Sequence, residues 1–81
     1  MPYFAYVLKS LKNAIHYYGS TSNLSTRLDS HNSGRSKFTK VYRPWKIIYS
    51  EEFDTRSDAV RREMFFKSID GNIWLKEKGI L

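Results

Sequence analysis

The sequence predicts an α+β fold, a small three-stranded antiparallel sheet flanked by helices, from three observations. Three short segments are rich in aromatic and branched residues, which is typical of strands. Two longer segments repeat apolar residues at helical spacing. Aromatic residues make up 16% of the chain and supply a large area to bury in a core. We therefore expect a single domain over residues 1–81.

The first two strands are predicted to form a hairpin, with one strand over residues 3–9 and the other over residues 14–19. Closing the hairpin between these segments places Tyr6 directly opposite Tyr17, in cross-strand contact on one face of the sheet. Each tyrosine also has an ordinary interpretation, because the ring often packs in a sheet with its hydroxyl at the rim. His16 lies on the other face by alternation and is predicted to face solvent.

The next element is predicted to be a helix that reaches Asn32 and stops at Gly34, with Ser22 as the favoured N-cap. Arg27 and His31 are four residues apart, so they are neighbours beside the apolar anchor of this helix. Singly, the arginine could be a solvated surface residue, and the histidine could pack near the helix end. Together they place two polar side chains over the core-facing side.

Residues 34–44 are predicted to form a basic loop, and residues 35–46 contain no acidic side chain. Phe38, Tyr42 and Trp45 alternate with the basic residues of this segment. Basic side chains displace counterions from phosphates, and aromatic rings stack on exposed bases. A solvated loop whose aromatic rings anchor it to the core is an equal alternative. The candidate nucleic-acid-binding residues are Arg35, Lys37, Lys40, Arg43 and Lys46.

The third strand is predicted over residues 45–53 and is followed by a helix over residues 56–68 that Thr55 caps. Glu63 lies within the inward-facing apolar row of this helix. A carboxylate in that position needs a partner, a metal ion or water. A salt bridge to Arg27 is the ordinary explanation.

The chain is predicted to end in a short helix that begins at Ile73. The preceding Asp70-Gly71 pair breaks the helical pattern and is expected to separate the two last helices.

Composition excludes several classes of protein. The chain has no cysteine and two histidines, so it lacks disulfides and the ligands for a zinc site. No apolar run approaches the ~20 residues that span a bilayer, and the start lacks a signal-peptide pattern. We therefore expect a cytoplasmic protein without a membrane partner. The net charge of +6 favours an anionic partner.

Five polar residues, taken together, give the sequence a specific pattern. They follow the order Tyr6, Tyr17, Arg27, His31 and Glu63. This order and spacing resemble the GIY-YIG nuclease superfamily. The segments Ser30-His31-Asn32-Ser33-Gly34 and Tyr42-Arg43-Pro44-Trp45 resemble its small stand-alone bacterial branch, which is related to the N-terminal nuclease domain of the excinuclease C subunit. The first motif here reads Phe-Ala-Tyr, without glycine and isoleucine, and the second reads Tyr-Tyr-Gly. Both changes keep the tyrosines.

The resemblance implies a metal-dependent endonuclease that hydrolyses phosphodiester bonds in duplex or branched DNA, in repair or recombination. It implies that Glu63 binds Mg²⁺ or Mn²⁺, a hard cation suited to a carboxylate. It also implies that Arg27 holds the phosphoryl oxygens and that Tyr17 activates or orients water, supported by Tyr6 and His31. No small-molecule cofactor is implied. The family often has an asparagine after its glutamate. Here Asn72 follows Glu63 by nine residues, which is closer than the family spacing, and no role is assigned to it.

Other classes of function remain open from the sequence. So small a domain has little surface for selecting a target, which makes a non-catalytic nucleic-acid-binding module with the nuclease fold the main alternative. A structural protein-interaction domain is a third hypothesis, and it predicts no salt-dependent affinity for nucleic acid.

Overall fold

The first strand in the chain forms the centre of the sheet. The structure is a computed structural model that describes residues 2–81. Its elements are β1 (Tyr3–Ser10), β2 (His16–Thr21), α1 (Leu24–Asn32), α2 (Lys37–Val41), β3 (Trp45–Phe53), α3 (Arg56–Lys67) and α4 (Ile69–Glu77). The strands form an antiparallel sheet in the order β2-β1-β3, so the predicted α+β fold is confirmed. None of the described helices is long and apolar enough to cross a membrane.

Strand β1 is buried on both faces because helices cover the sheet from both sides. Ala5 and Val7 join a core with residues of α3 and α4. Tyr6 and Leu8 point the other way, into a second core with Trp45 and the leucines of α1. The two faces are therefore named after their helices below, the α1 face and the α3 face.

The predicted pairing of Tyr6 with Tyr17 is wrong by two residues. Tyr6 lies opposite Gly19, and Tyr17 lies opposite Leu8. The turn is longer than predicted because the Ser10 hydroxyl accepts hydrogen bonds from two backbone amides within it, which stabilises a wider loop. A shift of two residues preserves the face of every side chain, so both tyrosines remain on the α1 face.

The same shift moves β2 to His16–Thr21 from the predicted residues 14–19. His16 is half-buried rather than solvent-exposed. Strand β3 has the predicted bounds.

Helix α1 begins one residue later than predicted, because its N-cap is Asn23 and not Ser22. The Asn23 side chain accepts a hydrogen bond from the backbone N–H of Thr26 at 3.1 Å, in an extended conformation typical of a cap. The helix ends at Asn32, as predicted.

The basic segment is not a continuous loop, since its centre forms helix α2. Thr39, in that helix, is fully buried, and its carbonyl accepts a hydrogen bond from the Trp45 indole at 2.8 Å. Burying this residue and the Trp45 ring fixes the segment against the sheet. Trp45 is 2% exposed and cannot stack on a base, whereas Phe38 is 52% exposed. Trp45 therefore anchors the segment to the core, whereas Phe38 is exposed enough to stack on a base.

Helix α3 has the predicted cap at Thr55, but the last helix begins at Ile69 rather than Ile73. The Ser68 hydroxyl accepts a hydrogen bond from the Gly71 N–H at 3.0 Å, so the Asp-Gly pair forms a first helical turn instead of a break. A Cβ atom at Gly71 would lie 1.7 Å from the Phe65 carbonyl oxygen. Glycine is required there because α3 and α4 are joined at close approach.

We predict that Gly71→Ala lowers the free energy of unfolding by about 3 kcal/mol, because the methyl group must push the helix junction apart. Urea unfolding followed by circular dichroism measures this loss. Gly79→Ala is the matched control, since a Cβ there meets no atom within 4 Å and its positive φ of 76° costs only about 1 kcal/mol. An equal loss in both variants would contradict the prediction.

Candidate active site

The hydroxyl of Tyr6 is buried at the centre of the α1 face. The side chain is 2% exposed, and it fits because Gly19 lies opposite, where a Cβ would come within 2.4 Å of the Tyr6 oxygen. His31 Nε2 lies 3.1 Å from this oxygen, and Arg27 Nε donates to it at 3.4 Å. Helix α1 thus directs the side chains of Arg27 and His31 onto one phenol.

His31 is 1% exposed and makes a second hydrogen bond behind the phenol, with Nδ1 3.0 Å from Thr39 Oγ1. Since Arg27 donates to the Tyr6 oxygen, the Tyr6 hydrogen is free to point at Nε2, which assigns the His31 proton to Nδ1. Burial, and then the nearby charge of Arg27, lower the pKa of His31 to about 4. The imidazole is therefore neutral at pH 7.

The other two members of this network keep their protons at neutral pH. Burial raises the pKa of Tyr6, although the hydrogen bond from Arg27 opposes that rise. The hydrogen bond to Tyr6 raises the pKa of Arg27, and the nearby Tyr17 makes a weaker contribution in the same direction. A neutral phenol thus holds a permanently charged guanidinium in place.

Tyr17 lies at the surface end of the same cluster and is half-buried. Its ring meets the edge of the His31 ring at a centroid distance of 4.8 Å and lies 6.4 Å from the Tyr6 ring. Phe38 and Trp45 pack around it, each at 6.3 Å. Four of the five residues singled out from the sequence are therefore brought together on the α1 face.

Glu63, the fifth residue, lies on α3 beside the outer edge of β2. The Ser20 hydroxyl donates to Oε1 at 2.9 Å, and Lys67 Nζ lies 2.6 Å from Oε2. Within residues 2–81, the Glu63 salt bridge is to Lys67 and not to Arg27, so the explanation by mutual neutralisation does not apply. The charge of Glu63 still adds, after burial and Tyr17, to the rise in the pKa of Tyr6.

The surroundings of Glu63 fit a magnesium ion better than a metal that needs a protein cage. No group of three His, Cys, Asp or Glu side chains occurs among the described residues. Mg²⁺ characteristically takes one or two carboxylates and keeps several waters. The Glu63 carboxylate is 19% exposed beside a second oxygen donor, Ser20. The Lys67 side chain is 53% exposed, so its ammonium can move into solvent when a cation binds.

The candidate nucleic-acid-binding residues divide between the two faces. Arg35, Lys37, Lys40 and Arg43 are exposed around α2, on the side of the sheet that carries Tyr17. Lys46 is exposed but pairs with Lys9 of β1, whose side chain points to the α3 face. The structure thus separates Lys46 from the other four.

Asn72 hydrogen-bonds backbone carbonyl groups at the junction of α3 and α4. Its amide donates to the Phe66 carbonyl at 2.7 Å and to the Ser68 carbonyl at 3.3 Å. These bonds close the end of α3 at its junction with α4, which is a structural function.

Sequence reasoning missed the residues that hold the site together. Thr39 and Ser20 are ordinary hydroxyl residues in sequence, and only the packing of α2 and α3 places them against His31 and Glu63. Asn32 is a third such residue, because its amide bonds both the N–H and the C=O of Trp45, at 2.6 and 3.1 Å, and so ties α1 to β3. Gly19, which makes room for the Tyr6 ring, is the one supporting residue that the sequence indicates, because it belongs to the Tyr-Tyr-Gly motif.

Comparison with known proteins supports one family. A family model described as the GIY-YIG catalytic domain matches residues 2–72. The chain is 44% identical over 68 residues to the UPF0213 protein lwe0147 of Listeria welshimeri, covering 83% of this chain and 74% of that protein. It is 36% identical over 75 residues to the UPF0213 protein SH2523 of Staphylococcus haemolyticus, covering 91% and 90%.

The structural comparison agrees. The solution NMR structure of the UPF0213 protein BH0048 from Bacillus halodurans matches with a TM-score of 0.55 and 26% identity, over 95% of this chain and 84% of that chain. The resemblance inferred from the sequence is therefore confirmed. The chain belongs to the GIY-YIG nuclease superfamily, whose domain implies a nucleic-acid substrate, and within it to the small stand-alone UPF0213 proteins.

Proposed function

We propose that this protein is a divalent-metal-dependent endonuclease that hydrolyses phosphodiester bonds in duplex or branched DNA. The observation that carries the proposal is the buried Tyr6–His31 pair, which fixes Arg27 and Tyr17 side by side at the surface. Buried hydrogen bonds beneath a surface guanidinium and a surface phenol suit a site that must position reacting groups. Repair or recombination of DNA is the proposed setting.

Arg27 is the proposed phosphate-binding group. Its guanidinium stays charged throughout the physiological range, and its hydrogen bond to Tyr6 through Nε fixes the plane of the side chain. The remaining N–H groups form a planar fork that fits two phosphoryl oxygens as negative charge increases on them.

Tyr17 is the proposed group that orients the attacking water. Its ring is held between His31, Phe38 and Trp45, so the hydroxyl has little freedom of position. Positioning of a reacting group is a large part of what an active site contributes to rate. Tyr17 also contributes to the raised pKa of Arg27, so its hydroxyl lies near the proposed phosphate site.

Tyr6 and His31 act as positioning residues in this proposal and not as groups that touch DNA. Both are buried, and the imidazole remains neutral above pH 5 because its pKa is about 4. The Tyr6 hydroxyl holds Arg27 by a hydrogen bond, and the Tyr6 and His31 rings pack against Tyr17.

Glu63 is the proposed ligand for Mg²⁺ or Mn²⁺, with Ser20 holding the orientation of its carboxylate. When bound, such an ion supplies charge stabilisation for the scissile phosphate and the leaving oxygen. The alternative, a binding module without catalysis, is supported by the exposed basic residues around α2 and needs no role for Glu63.

We expect Glu63→Gln to lower the rate of DNA nicking by more than about 100-fold while retaining DNA affinity, because the carboxamide loses the charge that attracts the cation. Nicking of a supercoiled plasmid with Mg²⁺ or Mn²⁺, beside fluorescence anisotropy with a labelled duplex, separates the two effects. Glu77→Gln, an exposed change at the end of α4, is the control. If folded wild type binds the duplex but never nicks the plasmid with either metal, the binding module is the correct function, and equal nicking by both proteins would remove Glu63 from the mechanism.

We expect Tyr17→Phe to slow nicking by about 10²–10⁴-fold, since the hydroxyl that orients the nucleophile is removed and the ring packing is kept. Single-turnover kinetics at saturating DNA measures the loss. Tyr42→Phe is the matched control, because the Tyr42 hydroxyl has no hydrogen-bond partner among the bonds of the described residues. Equal rates for Tyr17→Phe and Tyr42→Phe would remove Tyr17 from the mechanism.

His31 makes the stability of the fold depend on pH. The pKa of His31 is about 4 in the folded chain, below the ordinary value of 6.5. Between pH 6.5 and pH 4 the imidazole is therefore protonated in the unfolded chain and neutral in the folded chain. The free energy of unfolding should fall by about 3 kcal/mol from this residue as the pH falls from 6.5 to 4. Urea unfolding across this range, compared between wild type and His31→Asn, measures the difference in slope.

His16→Asn is the control for this experiment, because His16 has a smaller lowering of its pKa, caused by burial and then by Lys9. NMR titration of the His31 imidazole in the wild-type protein gives the same answer without a variant. A His31 midpoint near 6.5 would refute the assignment of a neutral, buried imidazole.

A further inference from the structure

Two cavities meet at the outer edge of β2. One, of about 100 Å³, lies toward α3 and is lined by Tyr3, Ser20 and Arg56 among others. Both cavities are lined by Thr21 and Ser22, which follow each other at the end of the strand. These two residues therefore join the cavities into one groove across the sheet edge.

The second cavity, of about 220 Å³, lies toward α1 and is lined by Arg27 and Arg35, with the hydroxyl groups of Thr26 and Ser30. It contains the proposed phosphate-binding arginine. The groove thus continues from the site described above to a region on α3 that the sequence pattern did not indicate.

Three arginines occur along the groove, and none of them forms a salt bridge with an acidic residue in the described part of the chain. The salt bridges within residues 2–81 involve Arg61, Arg62 and Lys67. Arg27, Arg35 and Arg56 are absent from them. Uncompensated guanidinium groups beside hydroxyl donors form an environment suited to phosphate oxygens.

Arg56 lies over the ring of Tyr3 at the α3 end of the groove. Its guanidinium carbon lies 5.9 Å from the centre of the Tyr3 ring, within the range of a cation–π interaction. Ser20, which lines the same cavity, donates to Glu63. The cavity with Arg56 is therefore on the Glu63 side of the β2 edge, and the cavity with Arg27 is on the Tyr17 side.

We propose that the DNA strand to be cut crosses the β2 edge over Thr21 and Ser22, and that Arg56, positioned by Tyr3, binds a phosphate on the far side of the scissile bond. This inference rests on the proposed function. It explains how Arg27 and Glu63, on opposite faces of the sheet, act on one phosphodiester. It also adds a contact opposite to the basic residues around α2, so the strand is held on both sides of the cut.

The test uses binding, so that it does not depend on cleavage. In a Glu63→Gln background, a fluorescein-labelled 20-bp duplex is titrated by anisotropy at several salt concentrations. Arg56→Gln should reduce the slope of log affinity against log salt by about 0.9, the value for one lost phosphate contact. Arg61→Gln, an equal charge change on the same helix but outside both cavities, should leave the slope nearly unchanged.

A second measurement uses the unmutated arginine. The Nε–H NMR signal of Arg56 should shift when this duplex is added, and that of Arg61 should not. Equal salt slopes for the two arginine variants, or an Arg56 signal that does not move, would overturn the groove proposal. Both readouts are independent of nicking, so a positive result with an inactive wild type would refute only the nuclease function.

Discussion

The arrangement of the site depends on burying one phenol hydroxyl in the middle of the sheet. A buried hydroxyl without a partner costs about 1–3 kcal/mol, so Tyr6 is stable only when α1 supplies His31 and Arg27. The same burial requires a residue without a side chain opposite it, which is Gly19. His31 in turn needs Thr39, and therefore a folded α2. A single polar atom thus links β1, β2, α1 and α2.

The second half of the site depends on the packing of α3. Arg62, the neighbour of Glu63, pairs with Glu51 of β3 at 2.7 Å and lies 4.5 Å from the ring centres of Phe65 and Trp74. This half-buried cation fixes the rotation of α3 against the sheet and α4. Glu63 is consequently directed at the β2 edge, where the Ser20 hydroxyl donates a hydrogen bond to its carboxylate.

The two halves meet only at β2, the outer strand of the sheet next to β1. Its alternation sends Tyr17 to the α1 face and Ser20 to the α3 face, so one short strand serves both groups of residues. The central strand β1 also alternates between the two faces, but both of its edges are covered by neighbours, so only an outer strand presents both groups at an open edge. An exposed edge is usually a hazard for aggregation. Here the groove with its arginines occupies that edge, and their positive charge opposes pairing with another chain.

The sequence by itself determined the α+β class, the third strand, the cap of α3 and the neighbouring positions of Arg27 and His31. These depend on local periodicity and on which residue types can cap a helix, and both are properties of short segments. Only the tertiary structure decided that Tyr6 lies opposite Gly19, that α2 is a helix, and that Glu63 bonds Ser20 and Lys67 instead of Arg27. The reason is physical: hairpin register and the partners of buried polar groups are selected by contacts between segments distant in sequence, and local preference does not encode them.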